Sequence, residues 1–392
     1  MKCRRLRMMS LLLAICILLL LVACGQTTEE SNKNVNLNIA LSNEPATLDG
    51  TTTTDTMSHN VIAQMMETLL NVSDTYQLEP GLAERWEQVD DLTYRFYLRK
   101  GVLFQNGEEM KASDAIFSLK RYAESKIMSS KAGSIDTEAF VIEDDYTFTM
   151  GLKYAYSDVL YALTYPGAAV ISEKEFNEKN GDYSRDATGM GTGPFKFSEW
   201  QSGEYLVLQR NEEYWDGAPQ VETLTFKVLQ DASTRVIELE TGAVDFAYFV
   251  PCSYLDSLKA NDSLLVTQYA GGTTTTFVPK VTDEPFTDVR VRQALSYAID
   301  RDSLVSVVFG DGAKAMECVV PEGFAGYTEG MTYPYDPEKA LALLEEAGYG
   351  LDNPISFEVW IHDNSEYQKA AEIIQSMWKE VGVNIEIKVL EA

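Results

Sequence analysis

The stretch from Asp336 to Leu390 restricts what this chain can fold into more than any other. Asp336 followed by Pro337 marks a helix start and Gly348 a stop. "ISFEVWI" then repeats apolar residues at every second position, as a strand does. "SEYQKAAEIIQSMWKEVG" returns to helical spacing and stops at Gly382, and "VNIEIKVL" is again a strand. A strand, a covering helix and a second strand are the ingredients of a right-handed parallel crossover. The chain is therefore expected to be α/β, and 45% hydrophobic residues in 392 allow two or more domains with real cores.

The front of the chain follows a different logic. Lys2, Arg4, Arg5 and Arg7 precede an apolar run from Met8 to Ala23, which only Ser10 interrupts. That is shorter than the roughly 20 residues of a spanning helix, and a basic start with an apolar middle describes a secretory signal peptide over residues 1–23. Leu21-Val22-Ala23-Cys24 resembles the lipobox of bacterial lipoproteins, which implies cleavage before Cys24 and diacylglycerol on its sulfur. Two acyl chains, at about 0.8 kcal/mol per buried methylene, hold a domain on a membrane far better than one. Residues 24–34 then read as a flexible tether, polar from Gln26 to Asn34. Everything beyond is expected outside the cytoplasm, anchored to the cell membrane.

Net charge is −28; without the four basic residues of the leader, 28 basic stand against 60 acidic residues, or −32. Such a surface repels nucleic acid and anionic lipid, and serves solubility or favours cationic ligands. Cys3 and Cys16 leave with the leader and Cys24 takes the lipid, so only Cys252 and Cys318 remain. Disulfides do not organise this fold, and the spacing leaves open whether those two pair.

Between the ends, "VNLNIALS" alternates as a strand, and "SHNVIAQMMETLL" is helical behind a Ser58 cap, with Val61, Met65, Thr68 and Leu69 at helical intervals. "LTYRFYLRKGVLFQNGE" puts Leu92, Tyr94, Phe96 and Leu98 on one strand face and ends at the Asn106-Gly107 turn. "SDAIFSLKRYAE" reads as a helix capped by Ser113, and "AFVIEDDYTFTMGL" as a hairpin turning at Asp144-Asp145. "GMGTGPFKFSEW" is a glycine-rich turn into a strand, and two strands flank a Tyr214-Trp215 corner. "DASTRVIELETG" is a helix followed by the short strand "AVDFAYF", and "FTDVRVRQALSYAIDRDSLVSVVFG" forms one long helix with Val291, Leu295, Ala298 and Ile299 inward.

The chemistry-bearing patterns are weak. His59 and His362 lie in no HExxH pattern and near no cysteine pair, so they make no zinc centre. Gly189, Gly191 and Gly193 fit neither a dinucleotide fingerprint nor a phosphate loop. Ser376 and Lys379 have SxxK spacing without the strand partner that a serine acyltransferase needs, and read as helix surface. Recognition is a better reading than catalysis.

The middle segments resemble a known family. "TGPFKFSEWQSGEYLVLQRNEEYWDGAPQVETLTFKVLQDASTRVIELETGAVD" is similar to the signature region of extracellular solute-binding family five, the dipeptide and oligopeptide receptors of ABC importers. "EPATLD" with "METLL", "LTYRFYLRKGVLFQNGE" with "ASDAIFSLKR", "PFTDVRVRQALSYAIDRDSL" and "YDPEKALALLEEAGY" follow the same order. The resemblance implies a two-lobed periplasmic-binding-protein-like fold (type II, cluster C) with a hinge, and a peptide or similar small solute held between the lobes. Residues 35–49 and 190–276 would form lobe I, residues 50–189 an inserted domain II, and residues 277–392 the start of lobe III. Relatives of this family are longer, so the chain is expected to be C-terminally truncated and its second lobe incomplete.

The resemblance also places ligand contacts. The cleft-lining segment after the "LD" element falls on Thr54, Asp55 and Thr56, and a strand crossing toward the second lobe on Thr273 to Phe277, with Thr274, Thr276 and Phe277 as contacts. It implies no catalytic residue, no metal and no other cofactor. The expected partners are the solute, ABC permease and ATPase subunits and, through the lipid, the membrane, with no nucleic acid and a monomeric chain. The rival readings are a secreted hydrolase and a sensor or chaperone using the same cleft.

Overall fold

The structure, a computed structural model, describes residues 35–268, 274–316, 318–321, 327–328, 330 and 332–390. Cys24, the leader, the tether and Thr273 lie outside the described residues. Those described fall into two compact units, one of residues 43–228 with the chain up to Ile39, the other of residues 229–390 with Ala40–Ser42.

β1 (Val35–Leu41), of which the part up to Ile39 belongs to the first unit, buries Ile39, Ala40 and Leu41 in succession, so its second half is covered on both faces and does not show the expected alternation. Helix α1 (Thr56–Met65) is capped by Asp55, whose carboxylate accepts from the Ser58 N–H, and not by Ser58 as expected. Ser58 sits in the first turn, where its Oγ accepts from the amides of Ala46 (2.9 Å) and Thr47 (3.3 Å). The helix also stops earlier than its apolar spacing suggests. The Gly193 N–H bonds the Met65 carbonyl at 2.9 Å, and a Cβ on Gly191 would stand 2.1 Å from that oxygen. Only glycine permits this approach. Thr68 and Leu69 are therefore buried beyond the helix, leading into the hairpin β2 (Leu70–Val72) and β3 (Leu78–Pro80).

β4 (Ala83–Asp90) and β5 (Thr93–Leu98) precede helix α2 (Ala112–Glu124), and β6 (Ile135–Asp144) and β7 (Thr147–Leu152) follow it. The four strands form an antiparallel sheet in the order β4-β5-β7-β6. Tyr94, Phe96 and Leu98 meet Phe148, Met150 and Leu152 under Ala115, Leu119 and Tyr122 of α2, with Phe96 and Phe148 stacked at 5.3 Å. Each such side chain contributes about 1.5–3 kcal/mol by leaving water. Leu92, expected on this face, is exposed in the turn before β5. The cap of α2 also differs: Lys111 holds the cap position and Asp114 reaches back to its N–H at 3.0 Å, while Ser113 lies inside the first turn. The β6–β7 turn falls on Asp145-Tyr146, one residue later than expected, because the Asp144 carboxylate accepts the Tyr146 N–H and Asp144 pairs with Thr147. After the short helix α3 (Glu173–Glu178) come β8 (Phe195–Gln201), β9 (Tyr205–Arg210) and β10 (Val221–Val228), an antiparallel run that continues the β1 sheet in the order β1-β10-β9-β8.

The second unit opens with helix α4 (Ala232–Glu240) and the two-residue strand β11 (Phe246–Ala247), after which the Tyr248 N–H bonds the Ala40 carbonyl at 3.1 Å. The long helix expected from "FTDVRVRQALSYAIDRDSLVSVVFG" is two helices, α5 (Val289–Tyr297) and α6 (Arg301–Val308). Asp300 breaks it, leaving the helical conformation to cap α6 through the Ser303 N–H at 3.0 Å. Val291, Leu295 and Ala298 are buried as expected, and Ile299 packs half-buried.

The C-terminal reading holds: α7 (Pro337–Glu346) capped by Asp336, β12 (Ile355–His362), α8 (Ser365–Glu380) and β13 (Val383–Leu390). β12 and β13 pair in parallel from Ile355 opposite Val383 to His362 opposite Leu390. Trp378 of α8 is buried with its indole N–H donated to the Leu295 carbonyl at 3.0 Å, which satisfies its polar end inside the core. Ser376 and Lys379 are exposed on α8, and Cys252 and Cys318 are free thiols. Among the described residues no helix is long and apolar enough to cross a membrane.

Candidate functional site

The loop between β1 and α1 carries the first group of expected contact residues. It is fastened from below by Asp49, 6% exposed, whose Oδ1 accepts from the Thr51 amide (3.0 Å), the Thr51 hydroxyl (2.7 Å) and the Tyr183 phenol (3.0 Å). Its Oδ2 accepts from Arg121 of α2 at 2.7 Å, and the Arg121 guanidinium lies over the Phe176 ring at 4.3 Å. Burial, and then the Asp49 charge, push the Tyr183 phenol far above its ordinary range, so it stays protonated as a donor. One buried carboxylate thus ties the "LD" loop to α2 and to the segment before β8.

On this base Thr54 and Thr56 are exposed and Asp55 is half-buried. Burial works against ionising Asp55. The Ser58 amide and hydroxyl, both at 2.7 Å, outweigh it and hold the carboxyl below the usual range. Asp55 thereby caps α1, whereas Thr54 and Thr56 are exposed on a fastened loop. Hydroxyls that both donate and accept suit main-chain amides and carbonyls of a bound chain. One turn into α1, His59 is buried edge-on to Tyr165 at 4.7 Å, with Nε2 unpartnered. Burial pushes its imidazole below the ordinary value, against opposing backbone hydrogen bonding to Thr53 and the Asp55 charge, so it is neutral at pH 7.

The second group lies in the other unit. Residues 274–280 have no regular secondary structure, so the strand expected there does not form over the described part. Thr274 is half-buried and Thr276 exposed. Phe277, 37% exposed, lays its ring 5.1 Å from Trp378 and 6.2 Å from Phe357, which makes it an anchor of this segment on the unit's core.

A node that the sequence reading did not single out is Glu67. Its carboxylate accepts from Tyr214 Oη (2.7 Å), Thr192 Oγ1 (2.7 Å) and Trp215 Nε1 (2.9 Å). "METLL", the "TGP" turn and the "YW" corner, quoted separately in the sequence, meet there. Burial raises the carboxyl of Glu67 despite these donors, because each is neutral. Among the described residues no group of three or more His, Cys, Asp or Glu side chains could hold a metal ion.

Against known proteins, residues 77–392 match the family described as bacterial extracellular solute-binding proteins, family 5 Middle. The glutathione-binding protein GsiB of Escherichia coli strain K12 is 30% identical over 370 residues, covering 90% of this chain and 69% of that one. Among solved structures, NikZ from Campylobacter jejuni in complex with Ni(L-His) superimposes with a TM-score of 0.81 at 26% identity, over 91% of this chain and 74% of that one. The ABC transporter-associated periplasmic binding protein DppA from Helicobacter pylori, in complex with peptide STSA, gives 0.79 at 24% identity, over 93% of this chain and 76% of that one. The mixed α/β fold is that of these periplasmic binding proteins.

Proposed function

The chain belongs to the bacterial extracellular solute-binding proteins of family 5, and on that premise we propose that it is the substrate-binding subunit of an ABC importer for peptides or similar small solutes. The observation that carries this reading is a likeness to a glutathione-binding protein over 90% of the chain, joined to the fold of a receptor solved with a bound peptide. The exposed hydroxyls of Thr54 and Thr56 on their fastened loop support it, since extended peptides are held mainly by main-chain hydrogen bonds.

In this reading Thr54, Asp55 and Thr56, together with Thr274, Thr276 and Phe277, contact the solute. Residues 35–49 and 190–276 act as lobe I, residues 50–189 as an inserted domain, and residues 277–392 belong to the opposite lobe. The solute binds one conformer better than another and shifts the equilibrium toward it, and that conformer docks on the permease. No covalent step is involved, and the chain is not an enzyme. Cleavage before Cys24 and lipid on its sulfur keep the monomer at the outer face of the cell membrane, where permease and ATPase subunits are reached.

Titration calorimetry of the chain with glutathione and with di- to pentapeptides tests this. Saturable one-to-one binding of at least one of them is expected. No heat beyond dilution with any of them contradicts it.

A further inference from the structure

Against a net charge of −28, one cavity of the first unit has two basic residues and one acid in its lining, with the Glu109 carboxylate bonded to the amide of its Gly101 at 2.8 Å. Glu84, Arg99, Lys100, Gly101, Val102 and Trp215 line a space of about 440 Å³ where β5 ends. Arg99 is set by its own chain: its amide bonds the Leu82 carbonyl at 2.9 Å and Nε donates to the Gly81 carbonyl at 2.7 Å. The guanidinium lies 4.7 Å from the Trp215 ring centre, and Trp215 is in turn held through its indole N–H by the half-buried Glu67. This leaves Nη1 and Nη2 without a hydrogen bond among the described residues. Gly101, at φ +74°, turns the chain so that Lys100 and Val102 both reach the cavity, and Lys100 Nζ stands 5.2 Å from the Tyr146 ring.

Among the described residues neither Arg99 nor Lys100 forms an ion pair, although Asp144 feels the Lys100 charge and Asp216 follows Trp215. Glu84 is the acid in the lining itself. A pre-set guanidinium fork beside an exposed ammonium is the pairing that matches a doubly charged oxyanion, with about −1.5 to −2 charge on a phosphate group at pH 7.

We propose that Arg99, Lys100 and Trp215 form a phosphate-binding subsite on the first unit, separate from the solute contacts at Thr54 to Thr56. Arg99 supplies two parallel donors, Lys100 the second charge, and Trp215 keeps the fork in place. The phosphate comes from a soluble compound or from a lipid headgroup, and two arms tell these apart. The full chain is titrated calorimetrically with inorganic phosphate and with glycerol phosphate, and is sedimented with vesicles of phosphatidylcholine with or without phosphatidic acid, whose headgroup is a phosphate monoester. Binding in either phosphate arm is expected to fall at least about ten-fold in Lys100→Gln, whose side chain is exposed and outside every core. Arg99→Lys, which keeps the charge and loses the fork, weakens it too, Glu84→Gln strengthens it, and Lys126→Gln leaves it unchanged. Response to soluble phosphate alone marks a soluble ligand, and Lys100-dependent binding to phosphatidic acid vesicles alone marks the headgroup. The proposal is overturned if neither arm shows binding above its control, or if Lys100→Gln binds as the parent does.

Discussion

Asp49 carries four donors, one of them the charged Arg121, in a place almost closed to water. Removing one partner of a buried pair leaves the other uncompensated, at roughly 3–5 kcal/mol. Asp49→Asn is therefore expected to lower unfolding free energy in urea by about that amount, and a change under about 1 kcal/mol would show that the loop is held by something else. Glu67 makes the opposite kind of demand, because its carboxyl is easier to protonate in the fold than in the unfolded chain. Its contribution is fully present below the ordinary carboxylate value and is lost as pH rises through the raised one. Replacing it by glutamine turns one acceptor oxygen into a donor against donors, costing about 1–3 kcal/mol at neutral pH. Urea midpoints from pH 4 to 8 should show Glu67→Gln lower at neutral pH and lacking that part of the decline. Thr54 and Thr56, being exposed, separate binding from stability: changing both to valine should weaken peptide binding by about 1–2 kcal/mol with an unchanged unfolding midpoint. A shifted midpoint with unaltered affinity would remove them from the contact set.

Elements show where local signals compete. The Ser58 and Ser113 caps were reasonable by residue type, yet a carboxylate in reach took each role: Asp55 as the cap itself and Asp114 reaching back from the first turn. The α5–α6 break follows from Asp300, which offers a cap inside an apolar pattern that runs straight through. By contrast the α7-β12-α8-β13 run was legible because its period, caps and stops agree. β4 was not, since six of its eight residues are exposed and no alternation marks it. The end of α1 depends on a contact distant in sequence. Gly191→Ala would push a methyl to 2.1 Å from the Met65 carbonyl, so the "GMGTGPF" turn and α1 must part. A loss of several kcal/mol or failure to fold is expected by thermal unfolding, and a wild-type midpoint would mean that the turn yields.

At the scale of the whole molecule, the order of the motifs along the chain, more than any single residue, pointed to a solute-binding protein. Glycine turns, strand corners and helix starts build the scaffold, and residues 77–392 match the family. The site was less legible. Thr54 and Thr56 prove exposed on a fastened loop, but Phe277 packs on Trp378 and the strand expected around it does not form. Ligand contacts are set by loop shape, which periodicity does not encode, and a scaffold serves many ligands. The account stands on capture without chemistry. Its most direct test is to load the protein with a peptide that calorimetry shows to bind, hold the complex for hours, unfold it and weigh the released ligand by mass spectrometry. The account predicts the same mass, at about one ligand per binding-competent chain. Fragments or adducts that accumulate with time, and that a substitution at Thr54 or Thr56 suppresses, would contradict it.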